Sequence, residues 1–166
     1  YKIKATDDVS AEKQKYNYIC KKTHENIIDT KSTTIMPTWG ALGCAISHIF
    51  CWKYIVDKNI EYALVCEDDI YIKNSDLAFD IFESYHFIRE QEIKHLFNNI
   101  IFFDADTSKS TYKLFDNIYN LYKITSGYIT KSHLYLINKH CAEFMINNIL
   151  PLIYQIDIHL SNKFVN

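Results

Sequence analysis

Turn-forming residues are scarce in this chain, with 3 glycines and 2 prolines among 166 residues. That scarcity argues against disorder and against an all-β chain built on many tight turns. Arginine is nearly absent, Arg89 being the single example, and the formal net charge is -2 with a pI of about 6.4. Without a basic field to hold phosphates, nucleic acid is not an expected partner. No apolar run approaches the ~20 residues of a membrane span, so no transmembrane segment is expected. No Cys-x-x-Cys occurs. Cys20, Cys44, Cys51, Cys66 and Cys141 are scattered, and an odd, unpatterned set reads as buried free thiols rather than as a disulfide framework or zinc site. The chain opens at Tyr1 with neither signal peptide nor initiator methionine, which reads as a fragment.

Hydrophobic residues make up 48% of the chain and aromatics 15%, enough for one core in a single domain, 1–166. Residues 1–35 are polar and weakly periodic, and they predict a short extended piece, a loop and a short helix. Thr38 is a candidate N-cap. From Leu42 to Val56 the apolar residues recur every three or four positions, which predicts an amphipathic helix ending near Asp57-Lys58-Asn59. Tyr62–Cys66 is a short continuous apolar run, the pattern of a buried strand in a largely parallel sheet. A helix capped by Ser75 is expected next, its apolar side carrying Leu77, Phe79, Ile81, Phe82, Tyr85 and Ile88. A second buried strand is expected at 99–103, a polar loop at 107–117, and strands near 118–124 and 133–137. Asn138 should cap a last helix that ends before Pro151. The alternation predicts an α/β fold, with an antiparallel portion among the later strands.

Both buried runs end in carboxylates: Glu67-Asp68-Asp69 after the first, Asp104-Ala105-Asp106 after the second. Ligands of open α/β sheets bind beyond the carboxyl ends of strands. Adjacent carboxylates repel one another unless a cation or solvent compensates, and a hard divalent ion with oxygen ligands is the natural partner. On an extended backbone Glu67 and Asp69 share one side and Asp68 takes the other. The first cluster also fits a solvated strand end, and the second fits an Asx turn. Spacing alone does not separate the two as metal motifs. His48, among apolar neighbours, reads first as a hydrogen-bonded core histidine, and so does His133. Asp157 and His159, two apart, would share a face on an extended segment, as a base or ligand pair does, or would form an exposed polar turn.

Gly40-Ala-Leu-Gly-Cys-Ala-Ile-Ser-His48, Trp52-Lys53 and Tyr62-Ala-Leu-Val-Cys-Glu-Asp-Asp-Ile70 together resemble glycosyltransferase family 25 in order, spacing and residue type. That family includes lipooligosaccharide and procollagen galactosyltransferases. Ser132–Ala142 and Pro151–Leu160 resemble later segments of the family more loosely, with Lys131 and Cys141 standing where glycine is usual. The match is best over 36–72 and 130–160, and the family's opening strand and Arg-rich turn are not in the chain.

The resemblance implies a GT-A (Rossmann-like) fold, a mixed sheet flanked by helices. It also implies a UDP-sugar donor with Mn²⁺ (or Mg²⁺), and inverting transfer of galactose or glucose to a hydroxyl of a glycan or protein acceptor. It makes Glu67, Asp68 and Asp69 the acidic donor motif, favours Glu67 and Asp69 over Asp104 and Asp106 for the metal, and places Gly40, Gly43, Ser47 and His48 beside them. His133, Tyr135 and Asp157 fall toward the acceptor, with Asp157 first and Asp68 second as the base of an inverting displacement.

Two other readings compete. One is a glycosyltransferase-like domain that binds without catalysis. The other is a metal-dependent phosphoryl-transfer or nuclease enzyme, which the missing Gly-rich phosphate loop and the low basicity disfavour. Free thiols point to the cytoplasm of a bacterial or viral source, and to a secretory lumen only if a further N-terminal segment carried a signal.

Overall fold

The computed structural model describes residues 18–29, 35–71, 76–93, 100–103, 110–116, 121–127 and 130–164. The elements run α1 (Lys21–Asp29), α2 (Trp39–Asp57), β1 (Tyr62–Cys66), α3 (Leu77–Ile93), β2 (Ile100–Phe102), β3 (Ser110–Asp116), β4 (Leu121–Gly127), β5 (Leu134–Asn138), α4 (Lys139–Asn148) and α5 (Ile156–Phe164). The result is a mixed α/β fold with a three-stranded sheet, order β1-β5-β2, and a separate β3-β4 hairpin. No helix among the described residues is long and apolar enough to cross a membrane.

Helix α2 forms where the periodicity placed it. Thr38 Oγ1 accepts from the Ala41 N–H at 3.0 Å and closes the first turn. At its other end Asn59 adopts φ 53, and the bonds Asn59 N–H to Val56 C=O (3.0 Å) and Ile60 N–H to Ile55 C=O (2.9 Å) complete a Schellman stop. Leu42, Ala45, Ile46, Ile49 and Trp52 are fully buried or nearly so, against Tyr135 and Ile137 of β5 and Met145 and Ile149 of α4 or its end. On the other sheet face Leu136 packs with Phe87 and Ile88 of α3. Strand β5 is buried on both sides, as a central strand between helix layers must be.

Several sequence expectations need correction. Strand β1 does not sit in a parallel pairing: Val65 pairs with Tyr135 and Cys66 with Leu134, antiparallel, and β2 also pairs antiparallel with β5. A short apolar run carries no information on the direction of its neighbour. As an outer strand of the described sheet, β1 also exposes Leu64 and Cys66, so neither the run nor that thiol is wholly buried. The polar stretch 107–117 contains a strand, β3, whose alternating Tyr112 and Leu114 pair with Ile124 and Tyr122 of β4. On α3, Phe79 and Phe82 face solvent, and the buried positions are Ser84, Phe87 and Ile88. The Ser75 cap lies outside the described residues.

The segment after α4 positions the last helix. Leu152 N–H bonds Tyr18 C=O (2.6 Å) and Met36 N–H bonds Ile153 C=O (2.8 Å). From α1, Thr23 Oγ1 donates to Leu152 C=O (3.0 Å), and Asn26 Nδ2 donates to Met36 C=O (3.1 Å). Residues 152–154 are therefore fixed from both sides, and α5 leaves them in a defined direction. The extended reading of Asp157 and His159 fails here. On a helix, residues two apart diverge by about 200°, and the two side chains do different work.

Candidate active site

Because β1 and β2 both oppose β5, they run in the same direction and end at the same edge of the sheet. Glu67 N–H bonds His133 C=O at 2.8 Å, and Phe103 N–H bonds Leu134 C=O at 3.0 Å. The start of β5 thus lies between the two strand ends. Asp104 and Asp106 lie outside the described residues.

Glu67 continues the β1 ladder by one residue, and its side chain turns toward α2. Its Oε1 lies 3.5 Å from His48 Nε2 and accepts from Cys44 Sγ at 3.8 Å. Contact with His48, more than any other effect, holds the Glu67 carboxyl below its ordinary range, with a further lowering from the field of His133. Asp68 and Asp69 form a turn and are exposed, so strand alternation stops at Glu67.

Beneath Glu67 runs a buried chain of hydrogen bonds. Trp52 Nε1 donates to the Tyr135 hydroxyl at 3.0 Å, and that hydroxyl lies 2.8 Å from His48 Nδ1. Indole can only donate, so the Tyr135 oxygen accepts from Trp52, while the direction of its bond with Nδ1 follows the His48 tautomer. In the tautomer whose Nδ1 accepts from Tyr135, the imidazole proton is on Nε2 and faces Glu67. Cys44, His48 and Trp52 sit at i, i+4 and i+8 of α2, one stripe of the helix. The fully buried Tyr135, expected near the acceptor, is instead the linchpin of this network and does not reach solvent.

Cys44 reports on the surrounding charge. Burial first, then Glu67, pushes its thiol up to about 12, and the carboxylates of Asp157 and Asp69 add to the effect. Asp69, Glu67 and Asp157 are thereby within electrostatic reach of one thiol. Asp157, in the first turn of α5, accepts from the Lys131 N–H on Oδ2 (3.2 Å) and from the Ile158 N–H on Oδ1 (2.8 Å). Lys131 has φ 68, the left-handed region that favours glycine, which gives a physical reason for glycine being usual there. His159 is not beside Asp157. It is buried, and its Nε2 accepts from the Ile153 and Tyr154 N–H groups at 2.9 and 3.0 Å. It braces the segment that aims α5.

Gly40, Gly43 and Ser47 line the same part of α2 as Cys44. A Cβ on Gly43 would meet nothing within 4 Å, and one on Gly40 only Thr38 Oγ1 at 3.8 Å. Internal packing does not require either glycine, and the surface beside Gly43 is open. Ser47 Oγ bonds back to Gly43 C=O at 2.9 Å. The structure therefore gathers Glu67, Asp69, His48, His133 and Asp157 at one edge. Sequence reasoning missed Cys44 and Trp52, although their four-residue spacing from His48 signalled a shared helix face.

Acidic side chains at the end of β1, with an open helix surface beside them, define a mixed α/β domain with a candidate ligand site at the edge of its sheet. The model of glycosyltransferase family 25 (LPS biosynthesis protein) matches residues 2–160, and the chain belongs to that family. Membership implies glycosyl transfer between a donor and an acceptor. A search of curated proteins returns no match.

Proposed function

We propose that this domain has the GT-A fold and transfers a hexose, galactose or glucose, from a UDP-sugar to a hydroxyl of a glycan or protein acceptor, with inversion and with Mn²⁺ or Mg²⁺. The observation that carries the reading is the convergence of Glu67 and Asp157 on the start of β5, Glu67 N–H bonding His133 C=O and Asp157 Oδ2 accepting from Lys131 N–H, with Asp69 two residues beyond Glu67.

The residues fit a hard cation in part. Asp69 is exposed, which suits an ion that keeps waters and takes one or two carboxylates plus diphosphate oxygens. Glu67 engages His48 and Cys44 through Oε1, which leaves Oε2 for the cation. When bound, the cation would neutralise the leaving diphosphate. The chain's own part is orientation and proton transfer. The open surface at Gly43 admits the donor close to the α2 backbone. Asp157 is the first choice of base: its two backbone donors fix its orientation and use about two of roughly four lone-pair sites. Exposed Asp68 is the second choice.

Thermal melts with UDP-galactose or UDP-glucose, with and without Mn²⁺, test the donor site. At ligand about 100-fold above Kd the stabilisation is about 2.7 kcal/mol, or roughly 5–10 °C at this chain length. The expected result is a metal-dependent rise that Asp69→Ala abolishes. Absence of any shift with either donor would sink the donor site and leave a binding domain. If the site holds, Asp157→Asn should lower kcat by about 10²- to 10⁴-fold, and an equal loss in Asp68→Asn alone would transfer the base to Asp68.

A further inference from the structure

We propose that Cys44, His48 and Glu67 form a second site, for a thiophilic divalent cation, Zn²⁺, that shares Glu67 with the donor-site cation and leaves a fourth coordination position open. It does not rest on the transfer reaction proposed above. Two of the three donor pairs stand close to the required spacing, His48 Nε2 to Glu67 Oε1 at 3.5 Å and Cys44 Sγ to Glu67 Oε1 at 3.8 Å, and all three atoms lie within 4.8 Å of one another. Tetrahedral zinc with ordinary bond lengths holds sulfur, nitrogen and oxygen ligands about 3.4–3.6 Å apart. The His48–Glu67 separation is too long for a strong direct hydrogen bond and close to that of two ligands sharing an ion.

Three further features support the site. Cys44 and His48 are four apart on α2, so one rigid helix face presents both. The other ring nitrogen of His48 is held by the Tyr135 hydroxyl at 2.8 Å, the outer contact that metal-binding histidines characteristically make. With the ion bound, His48 is the tautomer whose Nδ1–H donates to the Tyr135 oxygen and whose Nε2 lone pair faces the ion. Cys44 binds as thiolate, so one proton passes to solvent, and thiolate plus carboxylate cancel the charge of the ion. Burial first, and the negative field of Glu67, Asp157 and Asp69 after it, keep the Cys44 thiol protonated without metal, and that same field draws a cation in. The sulfur and nitrogen donors separate this site from the oxygen-only surface at Asp68 and Asp69. Zinc here occupies Glu67 Oε1 and would restrain any movement of Glu67 that donor binding requires.

The test titrates the metal-free full chain with Co²⁺ as a spectroscopic stand-in, followed by Zn²⁺. The expected result is a thiolate-to-cobalt charge-transfer band saturating at one ion per chain, release of one proton at neutral pH, and loss of the band when Zn²⁺ is added. Cys44→Ser should abolish the band, with Cys44→Ala as the second variant should serine not fold. Cys51→Ser and Cys66→Ser should keep it, and Tyr135→Phe should weaken binding by about 10- to 100-fold. Absence of the band in the wild type, its survival in both Cys44 variants, or its loss in Cys66→Ser would overturn the proposal. None of these readouts uses a nucleotide sugar, so its failure is distinguishable from failure of the donor site.

Discussion

Replacing Tyr135 with phenylalanine removes one oxygen from the centre of the core. The ring stays in place, so the change isolates the hydroxyl. Trp52, itself fully buried, then loses the acceptor of its Nε1–H, and a buried donor without a partner costs about 1–3 kcal/mol. His48 Nδ1 loses its hydrogen-bond partner as well, a further ~1 kcal/mol. The sum, about 2–4 kcal/mol, is a large part of the 5–15 kcal/mol typical of a domain. At roughly 2–4 °C per kcal/mol for this length, the midpoint should fall by roughly 10 °C. Urea and thermal unfolding of wild type, Tyr135→Phe, Trp52→Phe and the double variant would measure it. Trp52→Phe removes the donor that Tyr135→Phe leaves unsatisfied, so the double variant should be more stable than the two single losses predict, by about 1–2 kcal/mol. Strict additivity, or a Tyr135→Phe loss under about 0.5 kcal/mol, would refute the hydrogen-bond chain.

Two other predictions concern the residues around Glu67 and Asp157. Lys131→Gly should leave stability unchanged or raise it by up to about 1 kcal/mol, because relief of φ 68 is partly offset by the freer unfolded chain. Lys131→Ala, which needs the same backbone, should give no gain, and a clear loss in Lys131→Gly by urea unfolding would contradict the strain argument. The folded-state pKa of Glu67 lies below its unfolded value, chiefly through His48. Its contribution is therefore fully present above the unfolded value of about 4.3 and is lost as pH falls through the folded one. Glu67→Gln should consequently flatten the loss of urea midpoint below about pH 5, and identical slopes in variant and wild type would count against the His48 contact.

Much of the site was legible in the residues because its signals are local. Thr38 and Asn138 announce helix starts, and the Glu67-Asp68-Asp69 cluster marks a strand end. The spacing from Gly40 to His48 and on to Ile70 carries the family resemblance. Non-local signals did not come through. Nothing in Tyr62–Cys66 reveals that its neighbour is β5 running the other way, since pairing direction is a property of two segments. Asp157 looked extended because Pro151 stands close before it. The turn of helix beyond depends on His159 accepting from the Ile153 and Tyr154 backbone, a contact that exists only once α5 has folded. Tyr135 carries an apolar signature in a β-run, and its hydroxyl shows its role only beside Trp52 and His48.

The topology explains why carboxylates accumulate without unfolding the edge. With β5 between two strands that oppose it, two strand ends and one strand start meet at the same place, and the pinned segment before α5 adds Asp157. Arg89, the single arginine, lies on α3, against Tyr85, so no guanidinium compensates there. Compensation is instead divided by solvent. Asp68 and Asp69 are exposed and water screens them, whereas Glu67 is half-buried and leans on His48 and Cys44. One edge therefore holds a wet, oxygen-only surface and a drier mixed-donor pocket. Glu67 borders both, with Oε1 engaged by His48 and Cys44. A charge that neutralised either side would alter the field on the other through that single carboxylate.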